Sequence, residues 1–481
     1  MTPLLAGLAI AVAAVAFAPQ ASASLPLTTG ITTPDSDSTS QLGYDRIKQA
    51  GASFTRISAW WYDVAPSKKP ADWDPTDPSD PKYNWSSIDD QAKKAVAAGL
   101  TPMIQIWGAP SWAERCNSKG EPHICNPDPN DFAQFTQAAV KRYSGNFGGL
   151  PKIHYWEPWN EPNLHIYLEP QKVGSKRPSP TIYRTMLNQF ANVVKSADPN
   201  NLVVAGGLAP LGGVGSTGPL DFARRMLCMQ GLAKPKPIKG CAGKARFDIF
   251  AMNPYTTGGP TRSAVSPDDV QMGDLAELNR LIKAAKRYGK IQTPRASVPL
   301  WVTEFSWDSK PPDPKGLPMG ILCRWTSEAI YRAWKAGVVN FFWLSIRDWQ
   351  RDTNAPYDQT IESGLWFRGG DGVETDKPKR VLKAFRYPFV AFRTNRGILI
   401  WGRTPTSKPG KVTIKFGSRA GAVNQRIKVV KANKYGLFQA LVRTKLGSNK
   451  RGFVTATQGK EISLPFSLKP VKDFRHPPFG G

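Results

Sequence analysis

Eight short apolar runs, each followed by an amphipathic stretch, recur along most of this chain and restrict its fold more than any other feature. They cover residues 27–32, 54–59, 101–107, 153–156, 202–205, 247–252, 300–303 and 338–344. Apolar runs this short, alternating with helical segments, are the pattern of parallel strands joined by helical crossovers, because both faces of such a sheet need cover. Helices read over 88–98, which stops at Gly99, over 132–143, and over 275–288, which carries basic residues before Gly289. A further helical stretch at 379–393 completes the eighth unit. Eight β/α units close on themselves, so the expected fold class is α/β, a (β/α)8 TIM barrel over residues 25–396.

Beyond residue 396 the texture changes to alternating apolar and polar residues, as in Lys411-Val412-Thr413-Ile414-Lys415-Phe416. That alternation predicts a small C-terminal antiparallel β-sandwich-like module over 397–481, frayed from Lys469 onward. At the other end, residues 1–24 run apolar and small and reach Ala21-Ser22-Ala23 before Ser24, which reads as a signal peptide lacking the usual leading Lys or Arg, with a mis-assigned start or an uncleaved anchor as the open alternatives. A secreted, extracellular protein, or one associated with the cell envelope, is expected. Five cysteines fit an oxidising compartment sparingly used. Cys116 and Cys125 lie in one loop-like stretch and Cys228 and Cys241 bracket another, so two local bridges are the natural pairing, with Cys323 left over and other pairings open. Neither pair has zinc-knuckle spacing and the four histidines are scattered, so no metal and no cofactor is expected.

The net charge of +27 is uneven: from Trp401 to Gly481 there are 17 Lys and Arg against two acids, a net +15. Such a field favours an anionic surface. Acidic polysaccharide or an anionic cell envelope fits an exported chain better than nucleic acid, for which no motif is present, and a merely solubilising basic surface is the open alternative.

Long Pro-, Gly- and Asp-rich insertions at 65–83, 110–129, 308–318 and 348–376 all leave the carboxyl ends of predicted strands, the face on which barrel enzymes build their sites. Glu161 and Glu304 leave strands four and seven on that face, roughly across the axis from each other. Glycosidic hydrolysis needs two carboxyl groups, one to protonate the leaving oxygen and one to meet the charge that develops at the anomeric carbon. Glu157 shares the parity of Glu161, and a buried pair with a cation is expected of it rather than chemistry. Of sixteen tryptophans, Trp60, Trp61, Trp107, Trp112, Trp307, Trp343 and Trp349 sit in or beside strand-end loops, where indoles pack on the C–H faces of sugars. Trp107 and Trp307 are taken as cleft residues.

The segment Glu157-Pro158-Trp159-Asn160-Glu161-Pro162-Asn163 resembles the signature of retaining glycoside hydrolases of clan A, most closely family 39, with family 5 the second choice. The likeness covers about residues 27–393. His154 and Trp156 stand where family 39 prefers Trp and Phe, and Asn253 where it usually carries His. The resemblance implies that Glu161 is the acid/base and Glu304 the nucleophile. It further implies that Asn160 binds the sugar 2-OH, that Tyr255 donates to the nucleophile, and that Arg56 lies beneath it. Trp343 matches the clan's aromatic platform. The implied activity is hydrolysis of O-glycosidic bonds in a polysaccharide or oligosaccharide by double displacement. A catalytically silent carbohydrate or cell-envelope binding protein on the same barrel is the alternative, and the retention of both glutamates argues against it.

Overall fold

The computed structural model describes residues 25–32, 40–116, 121–351, 357, 360–443 and 451–479. The expected signal peptide lies outside the described residues. Eight parallel strands close a barrel: β1 (Thr28–Thr32), β2 (Phe54–Trp60), β3 (Thr101–Trp107), β4 (Tyr155–Pro158), β5 (Leu202–Leu208), β6 (Ile249–Met252), β7 (Leu300–Val302) and β8 (Val338–Leu344). β8 pairs back onto β1, with Thr28 opposite Asn340 and Thr32 opposite Leu344. Helices cross between them: α1 (Gln41–Gln49), α2 (Ser86–Ala97), α3 (Pro129–Arg142), α4 (Ser179–Ala197), α5 (Pro219–Met226), α6 (Leu275–Arg287) and α7 (Met319–Ala336), with α8 (Arg380–Arg386) after β8.

Local chemistry sets the helix ends. Asp128 caps α3 by accepting from the amides of Asn130 and Asp131 at 2.8 and 3.2 Å, with Pro129 in the first turn and Lys141 and Arg142 in the last. α7 stops at Gly337, whose φ of +105° is closed to other residues without strain.

The barrel interior changes character along its axis. Phe54, Met103, Val204, Ile249, Ala251, Trp301 and Phe342 form one buried apolar cluster, with Tyr155 packed against it. Two residues further along their strands stand Arg56, Gln105, Glu157, Asn253 and Thr303, all buried. A strand's inward side chains recur every second residue, so this step of two moves each strand from an apolar plug to a polar layer beneath the mouth. The main core lies outside, between strands and helices.

Two antiparallel sheets follow the barrel. One holds β9 (Phe389–Thr394), β10 (Gly397–Arg403) and β13 (Leu437–Val442). The other holds β11 (Gly410–Gly417), β12 (Gln425–Ala432), β14 (Phe453–Gln458), β15 (Glu461–Ile462) and β16 (Phe466–Ser467). The helix expected over 379–393 is shorter, because Pro388 cannot continue α8 and the next residues extend into β9. The expected boundary at 396/397 therefore falls in the β9–β10 hairpin. Barrel and sheets share a core: Trp401 packs against Tyr331 and Trp334 of α7 at 5.4 and 5.5 Å, and Arg324 covers the Phe466 ring at 4.2 Å. The fully buried Arg403 donates to Leu27 O at 3.1 Å.

The chain end expected to fray is docked on the barrel instead. The amide of Asp308 donates to Pro478 O at 2.8 Å and that of His476 to Thr257 O at 3.0 Å. Cys116–Cys125 and Cys228–Cys241 are disulfides, and Cys323 is free and buried.

Candidate active site

After β4 the chain turns through Trp159 (φ +70°) and Glu161 (φ +37°), in the left-handed region that residues with a side chain avoid. Such outliers persist where the surroundings over-determine them. Trp159 is fully buried; its amide donates to Ile106 O at 2.7 Å and its indole N–H to Tyr167 O at 2.5 Å. Asn163 pins the same loop to the one after β5. Its Nδ2 donates to Ala209 O and Thr217 O at 3.2 and 3.0 Å, and its Oδ1 accepts from Ala209 N at 2.8 Å.

The two candidate carboxyls sit in opposite surroundings. Glu304, just past β7, accepts at Oε2 from the Tyr255 hydroxyl at 3.1 Å and pairs at Oε1 with the Arg56 guanidinium. A cation and a hydroxyl donor are the company of an anion. Burial pulls the proton affinity of Arg56 down, but Glu304 and Glu157 outweigh it and leave it raised, so the cation is permanent. Tyr255, pushed well up by burial and then by Glu304 and Glu161, stays a protonated donor. Among the described residues Glu161 has one donor, the neutral Asn253 Nδ2, at 2.9 Å from Oε1. Burial first and the charge of Glu304 second push its carboxyl up to about 8, against the hydrogen bond from Asn253 and the more distant Arg56.

Glu157 sits beneath them, 3.7 Å from Arg56 Nη1, which is the buried pairing with a cation expected of it. Gln105 Nε2 donates to Glu157 Oε2 at 3.0 Å and to Asn160 Oδ1 at 3.3 Å. Asn253 is held in turn by Thr303 Oγ1, which donates to its Oδ1 at 2.9 Å. Arg56 from within β2, Asn160 and Glu161 after β4, Tyr255 after β6 and Glu304 after β7 thus converge at one end of the barrel.

No family model and no curated protein matches the sequence. Solved structures do match. One is a family 39 glycoside hydrolase from the gut symbiont Bacteroides cellulosilyticus WH2, at 14% identity and TM-score 0.52, covering 87% of this chain and 80% of that one. Another is a monomeric β-xylosidase from Caulobacter crescentus CB15, at 16% identity and TM-score 0.51, covering 88% and 94%. The chain has the fold of family 39 glycoside hydrolases. At these identities the likeness concerns the fold of the barrel with its antiparallel sheets.

On this family 39 fold the tryptophans need correction. Trp343 and Trp307 are fully buried, so neither has a free face for a sugar. Trp343 donates its indole N–H to Ser363 O at 2.8 Å and packs on Phe305 and Phe385. Trp307 donates to Gly258 O at 3.1 Å and packs on Trp325. The strand-end position of each was legible, but which face its loop covers was not. Trp107 is half-buried and tilted against Trp60 at 4.1 Å, with Tyr167 edge-on at 5.4 Å, an aromatic rim that remains partly open.

Three residues of the network carried no signal in the sequence analysis. Gln105 and Thr303 are ordinary strand residues whose period-two placement under the mouth is the only clue. Tyr167 lies in the loop after Glu161, where its hydroxyl feels burial first and then both Glu161 and Glu304, which raise its proton affinity.

Proposed function

We propose that the chain is an exported retaining glycosidase that hydrolyses O-glycosidic bonds in a polysaccharide or oligosaccharide. The observation that carries this reading is the opposite environment of two neighbouring carboxyls: Glu161 buried with one neutral donor and raised to about 8, Glu304 beside Arg56 and Tyr255. Two carboxyls in such different surroundings are suited to divide the work of proton donor and nucleophile. Glu304 attacks the anomeric carbon as the Glu161 proton passes to the leaving oxygen, and a glycosyl ester forms on Glu304. With that charge gone the proton affinity of Glu161 falls, and it takes a proton from the water that breaks the ester. Asn160, oriented by Gln105, is suited to the sugar 2-OH, and the Trp60–Trp107 pair to a ring further out. The two disulfides agree with an oxidising compartment, and among the described residues no helix is long and apolar enough to cross a membrane.

The test is a hydrolysis screen over neutral and uronic-acid glycosides, followed on the best substrate. Glu161→Ala is expected to lose about 10²- to 10⁴-fold on poor leaving groups and much less on aryl glycosides whose leaving group needs no proton. Glu304→Ala is expected to lose activity on both. Equal losses for the two variants on every substrate, or an inverted first product by proton NMR, would overturn the double displacement.

A further inference from the structure

The last described residues lie across the rim of the candidate site, on the loops that carry Tyr255 and Glu304. Asp473 Oδ1 accepts from Gly259 N at 2.6 Å and Oδ2 pairs with Arg262 Nη2 at 2.8 Å. The Phe474 ring lies 4.9 Å from Trp325, which packs on Trp307 at 5.5 Å. His476 and Pro478 add the two backbone bonds to Thr257 and Asp308. Phe479 ends the strap with its ring 4.8 Å from that of Tyr255, edge to face at 66°. A chain end is ordinarily loose unless specific contacts tie it down, and here they recur every one or two residues.

The bed is shaped for the strap. A Cβ on Gly258 would stand 2.8 Å from Phe474 O, and one on Gly259 would stand 2.9 Å from Asp473 Oδ1 and 3.0 Å from the Trp325 ring. Only glycine lets the two backbones approach so closely. The buried Trp307, which the sequence suggested as a cleft residue, donates to the Gly258 carbonyl.

Tyr255 is stacked on Phe305 at 6.1 Å and closed from another side by Phe479. Its hydroxyl touches Glu304, so whatever holds its ring also holds a donor on the candidate nucleophile. We propose that residues 473–479 form a fixed wall of the substrate site and that Phe479 is a positioning residue for Tyr255. The inference rests on the glycosidase reading for the chemistry, but not for the placement of the strap.

Three variants displace the strap by different means: truncation after Lys472, Phe479→Ala, and Gly259→Val, which obstructs the bed and leaves the tail intact. All three are expected to lower kcat on an aryl glycoside by about three- to tenfold and to raise KM by less, because Glu304 loses a positioned donor. Phe479→Tyr, which keeps the ring, is expected to restore both. Amide hydrogen exchange at Tyr255 and Asp308 is expected to be slow in the wild type and fast in the displaced variants. Losses confined to the folded fraction, with kcat per folded molecule unchanged, would overturn the proposal. Higher activity on truncation would also overturn it, since the tail would then be a plug. A wild type inactive on every glycoside but protected at both amides counts against the glycosidase reading, and an active wild type indistinguishable from its variants counts against the strap.

Discussion

Glu161 owes its proton to where it stands rather than to what it is. An exposed glutamate would be ionised at neutral pH, whereas burial and the neighbouring Glu304 keep this one protonated. The proposed role of acid needs the protonated form, so kcat/KM is expected to fall as pH rises through the raised value near 8, a limb that belongs to the carboxyl pair. Asn253 opposes the shift, because its Nδ2–H donates to the carboxyl and favours the charged form. Asn253→Ala is therefore expected to move the alkaline limb to higher pH. It should also lower kcat by about tenfold, since the acid loses its orientation. A pH–rate profile decides: a limb that stays or moves down means that Asn253 does not act on Glu161.

At the scale of elements, the barrel strands set depth and the loops set access. β2, β3, β4, β6 and β7 each carry an apolar inward residue followed two positions later by a polar one, which places Arg56, Gln105, Glu157, Asn253 and Thr303 in one layer. The rim depends on the loop after β3, where the Cys116–Cys125 disulfide closes the segment that brings His123 onto Tyr62 at 4.0 Å, next to Trp60. Opening that bridge by Cys116→Ser with Cys125→Ser is expected to raise KM more than it lowers kcat, because the rim loosens and the carboxyls do not. Unreduced peptide mapping should recover both bridges. Cys323 should alkylate only after unfolding, because it is buried and its thiol is pushed up to about 11, first by burial. Fast labelling of Cys323 in the native protein would contradict the packing of α7.

Over the whole molecule, the sheets beyond the barrel are joined to it through Trp401, Arg403 and Phe466, so deleting them would strip α7 of its cover. The role of their charge is better tested in place. Lys411 lies opposite Lys431, and Lys415 opposite Arg426, on adjacent antiparallel strands. Like charges across a strand pair cost stability, and a polyanion laid over them would remove that cost. Changing Lys411, Lys415, Lys428 and Lys431 to Glu is expected to abolish salt-sensitive retention on an acidic polysaccharide and to leave turnover of a small aryl glycoside within about twofold, since interactions between exposed charges are screened beyond about 8 Å at physiological salt. Retention unchanged at low salt would leave the charge as a solvated surface.

Periodicity alone determined the eight strands and their order, because an apolar run between amphipathic helices has one way to be covered on both faces. The strand ends also determined that Glu161 and Glu304 share a face, since chain direction is common to every strand of a parallel barrel. Short separation within single loops pointed to the two disulfides, and the structure closed the pairings that the sequence left open. Tertiary structure decided the rest. Whether Trp343, Trp307 or Trp107 keeps an open face depends on which loop lies over it, and no spacing records that. The fate of the tail is a contact between residues more than two hundred positions apart: Asp473 and Phe479 find Gly259 and Tyr255 only after the barrel has closed. The proton on Glu161 is of the same kind, because burial and the field of Glu304 come into being with the fold.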